Sequence, residues 1–169
     1  MKTTLKIFAL TVALFGITNI SFGQNTAVAT AAAGARIITP ITIANSKALE
    51  FGDIISAANT VTISPAGART ATNPNALLVT ASRTPQAAQF TVVGEASLKY
   101  TVLISESITL KGAVTSETMT VNNFDHNATG TLNATTGEET FSVGADLIVG
   151  GTQASDIYTG SFTVTVTYQ

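Results

Sequence analysis

Hydrophobic and polar residues alternate most regularly near the end of the chain, over residues 157–168. Apolar side chains there would point one way and hydroxyl side chains the other, because successive residues of a strand face opposite sides. The apolar set is Phe162, Val164, Val166 and Tyr168. This pattern predicts one half-buried β-strand across the segment. Since only Gln169 follows, we expect that strand to close a sheet or to form the edge strand of one.

Shorter stretches with the same period, or with a run of apolar residues, recur through the rest of the chain. They lie at 36–43, 48–54, 61–63, 76–80, 89–93, 99–104, 107–110, 118–123 and 140–149. Clusters of Gly, Asn, Pro and Ser separate them, as at Pro65-Ala66-Gly67, and such clusters are typical of turns. Pro40 interrupts the first stretch and predicts an edge or a bulge there, because proline has no N–H to donate to a ladder.

The number and spacing of these stretches predict the architecture. Nine or ten short alternating strands favour antiparallel sheets with one wet face. The absence of βαβ spacing argues against a parallel sheet, and no solenoid or propeller repeat is present. We therefore predict an all-β, immunoglobulin-like, two-sheet antiparallel β-sandwich over residues 35–169.

The beginning of the chain predicts a targeting segment. Lys2 and Lys6 make the start cationic, residues 7–20 are mostly apolar, and Ser21-Phe22-Gly23 places small residues where a signal peptidase reads. We predict a cleaved signal peptide over residues 1–23. A membrane anchor or a buried helix is the alternative, but a spanning helix needs about 20 apolar residues. We therefore expect export to the periplasm, the cell surface or the extracellular space.

Residues 24–34 read QNTAVATAAAG and offer little side chain to bury. Their composition predicts a flexible N-terminal extension of the mature chain. The alternative is a segment that becomes a strand only on another molecule.

Composition and charge narrow the classes of function. The formal net charge is −2, and it falls by two, to −4, if Lys2 and Lys6 leave with the signal peptide. Scattered charges of this sign do not predict a nucleic-acid partner, which needs clustered Lys and Arg. No basic amphipathic stretch predicts a membrane-surface helix, and we expect no membrane span in the mature chain. The chain has no Cys, so its core must hold without disulfides.

No combination of residues predicts catalysis. His126 is the single histidine, its acidic neighbour Asp125 is adjacent in the chain, and no Gly-x-Ser-x-Gly elbow occurs. We interpret His126 as a solvated loop residue. The paired carboxylates Glu138 and Glu139 would face opposite sides of a strand and could not flank one bond. We therefore predict a non-enzymatic protein with no catalytic and no cofactor-binding residue.

The segment around His126 is rich in possible oxygen ligands: Asn122, Asn123, Asp125 and Asn127. Calcium prefers several such oxygens around one point, but Asn and Asp are also common in turns, and no Asp-x-Asp-x-Asp-Gly pattern is present. Whether this predicted loop binds calcium stays open. One His and no Cys do not predict a zinc site. We therefore assign no metal ligand.

Taken in order, the strand motifs resemble a family of exported bacterial β-sandwich domains of unknown function, found in Bacteroidetes and Proteobacteria. That family is distantly similar to the spore coat protein U group, which includes pilin subunits of archaic chaperone–usher pili. The matching motifs are ITPITI (38–43), LEFGDI (49–54), VTISP (61–65), FTV (90–92), YTV (100–102), MTVNNF (119–124), FSVGADL (141–147) and YTGSFTVTVTY (158–168).

The resemblance implies a cell-surface β-sandwich without enzymatic activity or cofactor, such as a fimbria- or coat-like subunit. In the pilin relatives, an incomplete sandwich accepts a strand from the next subunit, and such head-to-tail contacts build fibres. The corresponding donor here would lie within residues 25–38, with self-association through sheet edges. The alternatives are a monomeric secreted module that binds a carbohydrate or a surface protein through its loops, and a secreted hydrolase.

Overall fold

The computed structural model describes residues 26–73, 78–79 and 82–169, with the backbone alone for 78–79. The predicted signal peptide, residues 1–23, lies outside these ranges. The chain divides into two units, Met1–Arg36 and Ile37–Gln169. In the first unit, residues 26–36 are exposed and contain no strand.

Twelve β-strands and no helix occur in the described residues. The strands are β1 (Thr42–Lys47), β2 (Asp53–Ile54), β3 (Asn59–Ile63), β4 (Arg69–Ala71), β5 (Leu78–Val79), β6 (Ala88–Val93), β7 (Tyr100–Ile104), β8 (Ser107–Gly112), β9 (Thr118–His126), β10 (Glu138–Val149), β11 (Tyr158–Thr159) and β12 (Val164–Tyr168). A search of the same residues finds no helix that could span a membrane. The prediction of an all-β fold is confirmed.

The longest strand, β10, lies at the centre of the main sheet. One edge pairs first with β6 and then with β3, and the other edge pairs with β9. The sheet continues from β6 to β1, from β3 to β4, and from β9 through β8 to β11. Gly144 lies where the partner changes from β6 to β3, and a Cβ there would overlap the carbonyl oxygen of Ile63. Glycine is therefore required for the end of β3 to approach β10 so closely.

One face of β10 is buried from Phe141 to Val149, because every second residue there is apolar. These residues are Phe141, Val143, Ala145, Leu147 and Val149. Over the first half of the strand, a second antiparallel sheet of β12 and β7 packs on this face. The buried members of that core are Ala88, Phe90, Val92, Tyr100, Leu132, Phe141 and Val143. The predicted two-sheet antiparallel sandwich is confirmed.

Over the second half of β10 the core has a different composition. Its buried members are Phe51, Val61, Ile63, Ala87, Val121, Ala145, Leu147 and Val149. None of its members in the described residues comes from β7 or β12. The second sheet therefore covers only half of the apolar face of the main sheet.

The prediction of one strand across residues 157–168 is wrong in part. The segment forms two strands, β11 in the main sheet beside β8 and β12 in the second sheet beside β7. The chain crosses between the sheets at residues 160–163. The predicted alternation still holds from Phe162 to Tyr168, whose apolar side chains are half-buried while the hydroxyl residues between them are exposed.

The strands observed for the first two predicted stretches also differ from the prediction. The first strand begins at Thr42, after Pro40, because the preceding residues 36–39 take no part in the ladder. Within 48–54 only Asp53–Ile54 forms a strand, and Glu50 makes an isolated bridge to Gln86. The short strand β4 was not predicted, since its sequence Arg-Thr-Ala carries no apolar alternation.

Candidate binding cleft

A cleft of about 900 Å³ opens on the half of the main sheet that β7 and β12 leave uncovered. Its floor consists of apolar side chains from three adjacent strands. These are Ile108 and Leu110 of β8, Met119 and Val121 of β9, and Leu147 and Val149 of β10. Small-molecule sites fall in the same range of volume, roughly 300–1,000 Å³, and combine apolar walls with a few polar groups.

Strand register places these floor residues side by side. Ile108 is opposite Val121, which is opposite Leu147, so the three form one row across the sheet. Residues paired in this way point to the same face and lie about 5 Å apart. Val121 and Leu147 are buried, whereas Ile108 is only partly buried. The floor therefore becomes more open towards β8.

The first wall of the cleft comprises residues 48–56 together with Ser82 and Arg83. The Asp53 carboxylate accepts hydrogen bonds from the backbone N–H groups of Ser82, at 2.6 Å, and Arg83, at 3.0 Å. Glu50 and Arg83 also form an ion pair at 3.0 Å, with both side chains partly exposed. Such an exposed pair contributes about 0–1 kcal/mol, whereas bonds from N–H groups to a carboxylate are charge-assisted. Asp53 therefore makes the larger contribution to holding this wall.

The second wall comprises residues 153–162 and is held by its own polar side chains together with Glu117, which accepts from the Ala154 N–H at 3.0 Å. The Tyr158 hydroxyl donates to the Ala154 carbonyl oxygen and accepts from Nε2 of Gln153, both at 2.9 Å. These two bonds close the turn on itself, so the hydroxyl is already engaged within the wall.

Asp156 links the second wall to the turn after β8. Its Oδ2 accepts hydrogen bonds from the backbone N–H of Thr115, at 2.7 Å, and of Val114, at 2.9 Å. The bonds from Thr115 and Val114 stabilise the ionised form and hold the pKa of Asp156 well below its usual range. The carboxylate is therefore a structural acceptor, charged at neutral pH.

Aromatic rings separate the cleft from the core of the covered half. Phe162 lies in an edge-on arrangement with Phe90, with ring centroids 6.0 Å apart, and packs at 4.8 Å on Phe124. Phe90 stacks in turn on Phe141 at 5.8 Å. Phe90 and Phe162 both line the cleft, so these rings form its closed end.

The prediction that His126 lies in a loop is wrong. Strand β9 extends through His126, because Asn123 adopts a left-handed backbone, φ 52°, and absorbs an irregularity in the pairing with β10. His126 Nδ1 accepts a hydrogen bond from the Ala128 N–H at 3.2 Å, and its ring lies edge-on to Phe141. Asp125 accepts from the backbone N–H of His126 and does not contact the imidazole through any described hydrogen bond.

Three of the possible calcium ligands, Asn123, Asp125 and Asn127, have separate hydrogen-bond partners, whereas Oδ1 of Asn122 is buried without one. Asn123 donates to Asp146 at 3.0 Å, and the Asn127 side-chain oxygen accepts from the Ser142 N–H at 2.7 Å. Asn122 is paired with Asp146 across the strands. Among the described residues, no group of three or more His, Cys, Asp or Glu side chains could hold a metal ion. The question of calcium binding, which the sequence left open, is not decided by these contacts.

The adjacent carboxylates Glu138 and Glu139 begin strand β10. Glu139 accepts hydrogen bonds from the Tyr100 hydroxyl, at 2.8 Å, and from the Thr129 N–H, at 2.5 Å. Tyr100 is 1% exposed, and this burial together with the bond to Glu139 raises its pKa above the usual range. Glu139 thus supports the covered core and lies apart from the cleft.

Sequence reasoning did not single out the cleft. The alternation in β8, β9 and β10 marks its floor residues as apolar strand positions, which are normally covered. That the second sheet stops short of them depends on the crossing at residues 160–163, and no local pattern marks it.

Comparison with known proteins places the sandwich in a family. The model of a family described as "Domain of unknown function (DUF4402)" matches residues 41–168, which include every strand from β1 to β12. No curated protein matches the chain. No solved structure matches it either. The chain therefore belongs to DUF4402, a family of domains of unknown function.

Proposed function

We propose that this chain is an exported, non-enzymatic structural or cell-surface protein, a fimbria- or coat-like subunit that associates with copies of itself. The proposal includes the distant similarity to spore coat protein U and archaic chaperone–usher pilins. The observation that carries it is the apolar floor of the cleft, which is buried along β10 and partly exposed at Ile108, Leu110 and Met119. Contiguous apolar surface rimmed by polar residues marks interaction sites, because leaving it in water is unfavourable.

The occupant that we propose is an extended segment of a second copy. Within the described residues, the outer edge of β8 has strand partners only at Lys111 and Gly112, opposite β11. Gly160 approaches the same edge at Thr109 and Leu110, so the part left for an incoming strand is Ser107–Ile108. A strand that pairs there could gain main-chain hydrogen bonds while its side chains cover the floor, as in β-augmentation. Residues 26–36 are exposed and form no strand. Fully extended, these eleven residues reach about 36 Å, more than the roughly 20 Å of an average strand.

A structural role also suits the polar groups around the cleft. Asp53, Asp156 and Tyr158 are engaged in hydrogen bonds that hold the walls. None of them has the arrangement of base and nucleophile that acyl transfer or hydrolysis requires. These groups support a role in shaping a binding surface.

The absence of native cysteine gives a direct test, because engineered thiols can pair only with each other. One full-length chain carries Ala31→Cys in the extension, and a second, size-tagged chain carries Leu110→Cys on the floor. We expect oxidation of the mixture to yield a linked heterodimer. The matched control is Leu103→Cys in place of Leu110→Cys, since Leu103 is 71% exposed on β7 and outside the cleft.

Equal cross-linking to Leu110→Cys and Leu103→Cys would contradict the proposed occupant. Light scattering of the wild-type chain from an exported fraction tests self-association itself. Multiples of the chain mass that grow with concentration support a subunit. A monomer at every concentration would refute self-association and favour the alternative, a secreted module that binds a carbohydrate or a surface protein.

A further inference from the structure

Both backbone polar groups of Thr39 are held by side chains from distant parts of the sandwich. Its N–H donates to Oε2 of Glu95 at 3.0 Å, and its carbonyl oxygen accepts from the Tyr168 hydroxyl at 2.8 Å. The same hydroxyl accepts from the Glu95 N–H at 2.6 Å, so the three residues form a closed ring of hydrogen bonds. We refer to Glu95 and Tyr168 as the Thr39 clamp.

The clamp depends on close packing at Gly94. A Cβ on Gly94 would overlap the Tyr168 hydroxyl oxygen. Glycine at this position is what lets the last strand place its tyrosine against the backbone of Glu95. The arrangement is therefore built into the ends of β6 and β12.

The clamp lies where the first ladder ends. The last pair of β1 and β6 is Thr42 with Val93. In the same register, Pro40 would come opposite Glu95, but proline has no N–H and the Glu95 N–H is committed to Tyr168. The ladder cannot continue, and the clamp holds the chain where strand pairing no longer does. Just before it, Ile37 is 97% exposed.

We propose that Glu95 and Tyr168 are positioning residues that anchor the root of the N-terminal extension, an inference that rests on the proposed head-to-tail association. When the extension is bound by another copy, tension along the chain reaches Thr39 before it reaches β1. Within the described residues, β1 has a strand partner on one side only, so tension on its first residue would open the ladder bond by bond. The clamp directs that tension into β6 and β12 and shields the Thr42–Val93 pair.

The test compares two full-length variants that each lose one tyrosine hydroxyl. Tyr168→Phe opens the clamp, whereas Tyr100→Phe removes a hydroxyl bonded to Glu139. We expect amide exchange at Glu95 to become about tenfold faster in Tyr168→Phe and to stay unchanged in Tyr100→Phe, because the Glu95 N–H loses its acceptor only when the Tyr168 hydroxyl is removed. We also expect multimers of Tyr168→Phe to dissociate faster than those of Tyr100→Phe when both are compared at equal margins below their melting temperatures.

Each negative outcome identifies a different failure. Unchanged exchange at Glu95 in Tyr168→Phe would overturn the clamp. Faster exchange with multimers that dissociate like those of Tyr100→Phe would overturn the anchoring role alone. A wild-type chain that stays monomeric would overturn the proposed function, and the anchoring role with it.

Discussion

A Cβ atom on Gly160 would lie 2.8 Å from Cδ2 of Leu110, so the two residues pack together only because position 160 has no side chain. The contact lies where the chain leaves β11 in the main sheet and crosses to β12 in the second. Leu110 belongs to the floor of the cleft and Gly160 to its second wall. The contact between Gly160 and Leu110 therefore lies inside the cleft and also at the point where the terminal segment divides into two strands.

Replacing Gly160 with alanine should destabilise the sandwich. The new methyl group would also come within 2.8 Å of the Thr109 carbonyl oxygen, a backbone atom that cannot turn away. Overpacking of this kind costs about 1–3 kcal/mol, measured as the free energy of unfolding in urea. Gly151→Ala is the control, because its nearest neighbour would be 3.7 Å away, and it should stay within about 0.5 kcal/mol of the wild type. Equal losses in both variants would contradict the steric argument.

The half of β10 beneath the cleft should contribute to stability like an ordinary core. Leu147 is 2% exposed, so Leu147→Ala should lower the free energy of unfolding by about 2–5 kcal/mol. The same change at the exposed Leu103 should cost less than about 0.5 kcal/mol. A small loss at Leu147 in chemical denaturation would mean that this half of the sheet is not packed as described.

Because of the hydrogen bonds to Asp156, the melting temperature should depend on pH in the acid range. The pKa of Asp156 is lowered in the folded state, so its contribution is present above the ordinary carboxyl value, about 4, and is lost as the pH falls towards the folded pKa. We expect the melting temperature of the wild type to exceed that of Asp156→Asn at pH 7, and the difference to shrink below pH 4. A difference that is constant from pH 2 to pH 7 would argue against this role.

Tyr100 should remain protonated in the folded protein when ordinary tyrosines ionise. The pKa of Tyr100 is raised in the folded state. The neutral phenol therefore contributes to the stability of the fold below the ordinary pKa of about 10, and this contribution is lost as the pH rises through the folded pKa. In absorbance titrations, Tyr100→Phe should leave the phenolate signal of the folded protein between pH 9 and pH 11 unchanged. In urea, where all tyrosines are exposed, the same substitution should lower the phenolate absorbance by the contribution of one tyrosine. A lower phenolate absorbance of the folded variant would contradict the buried position of Tyr100.

Most strand positions were predictable, whereas their ends were not. Val61, Phe90 and Phe141 lie in strands that the alternation predicts, since a period of two places them on a buried face. The end of β9 was missed because Asn and Asp usually indicate a turn, and here Asn123 takes up a left-handed backbone that lets pairing continue to His126.

The candidate site was less predictable than the fold. Leu110 and Met119 are visible in the sequence as apolar strand residues, but their exposure to a cleft depends on where the second sheet stops. The Thr39 clamp joins residues 129 positions apart, and tyrosine at the end of a strand carries no local mark of such a partner.

The sequence by itself determined which segments are extended and which side chains share a face, because both follow from the local geometry of the backbone. It also determined an all-β class without disulfides. Only the tertiary structure decided where the terminal strand divides, which half of the main sheet the second sheet does not cover, and which side chains hold Thr39. These features arise from close approaches between distant residues, as at Gly160 with Leu110 and at Gly94 with Tyr168, and such approaches depend on packing in three dimensions.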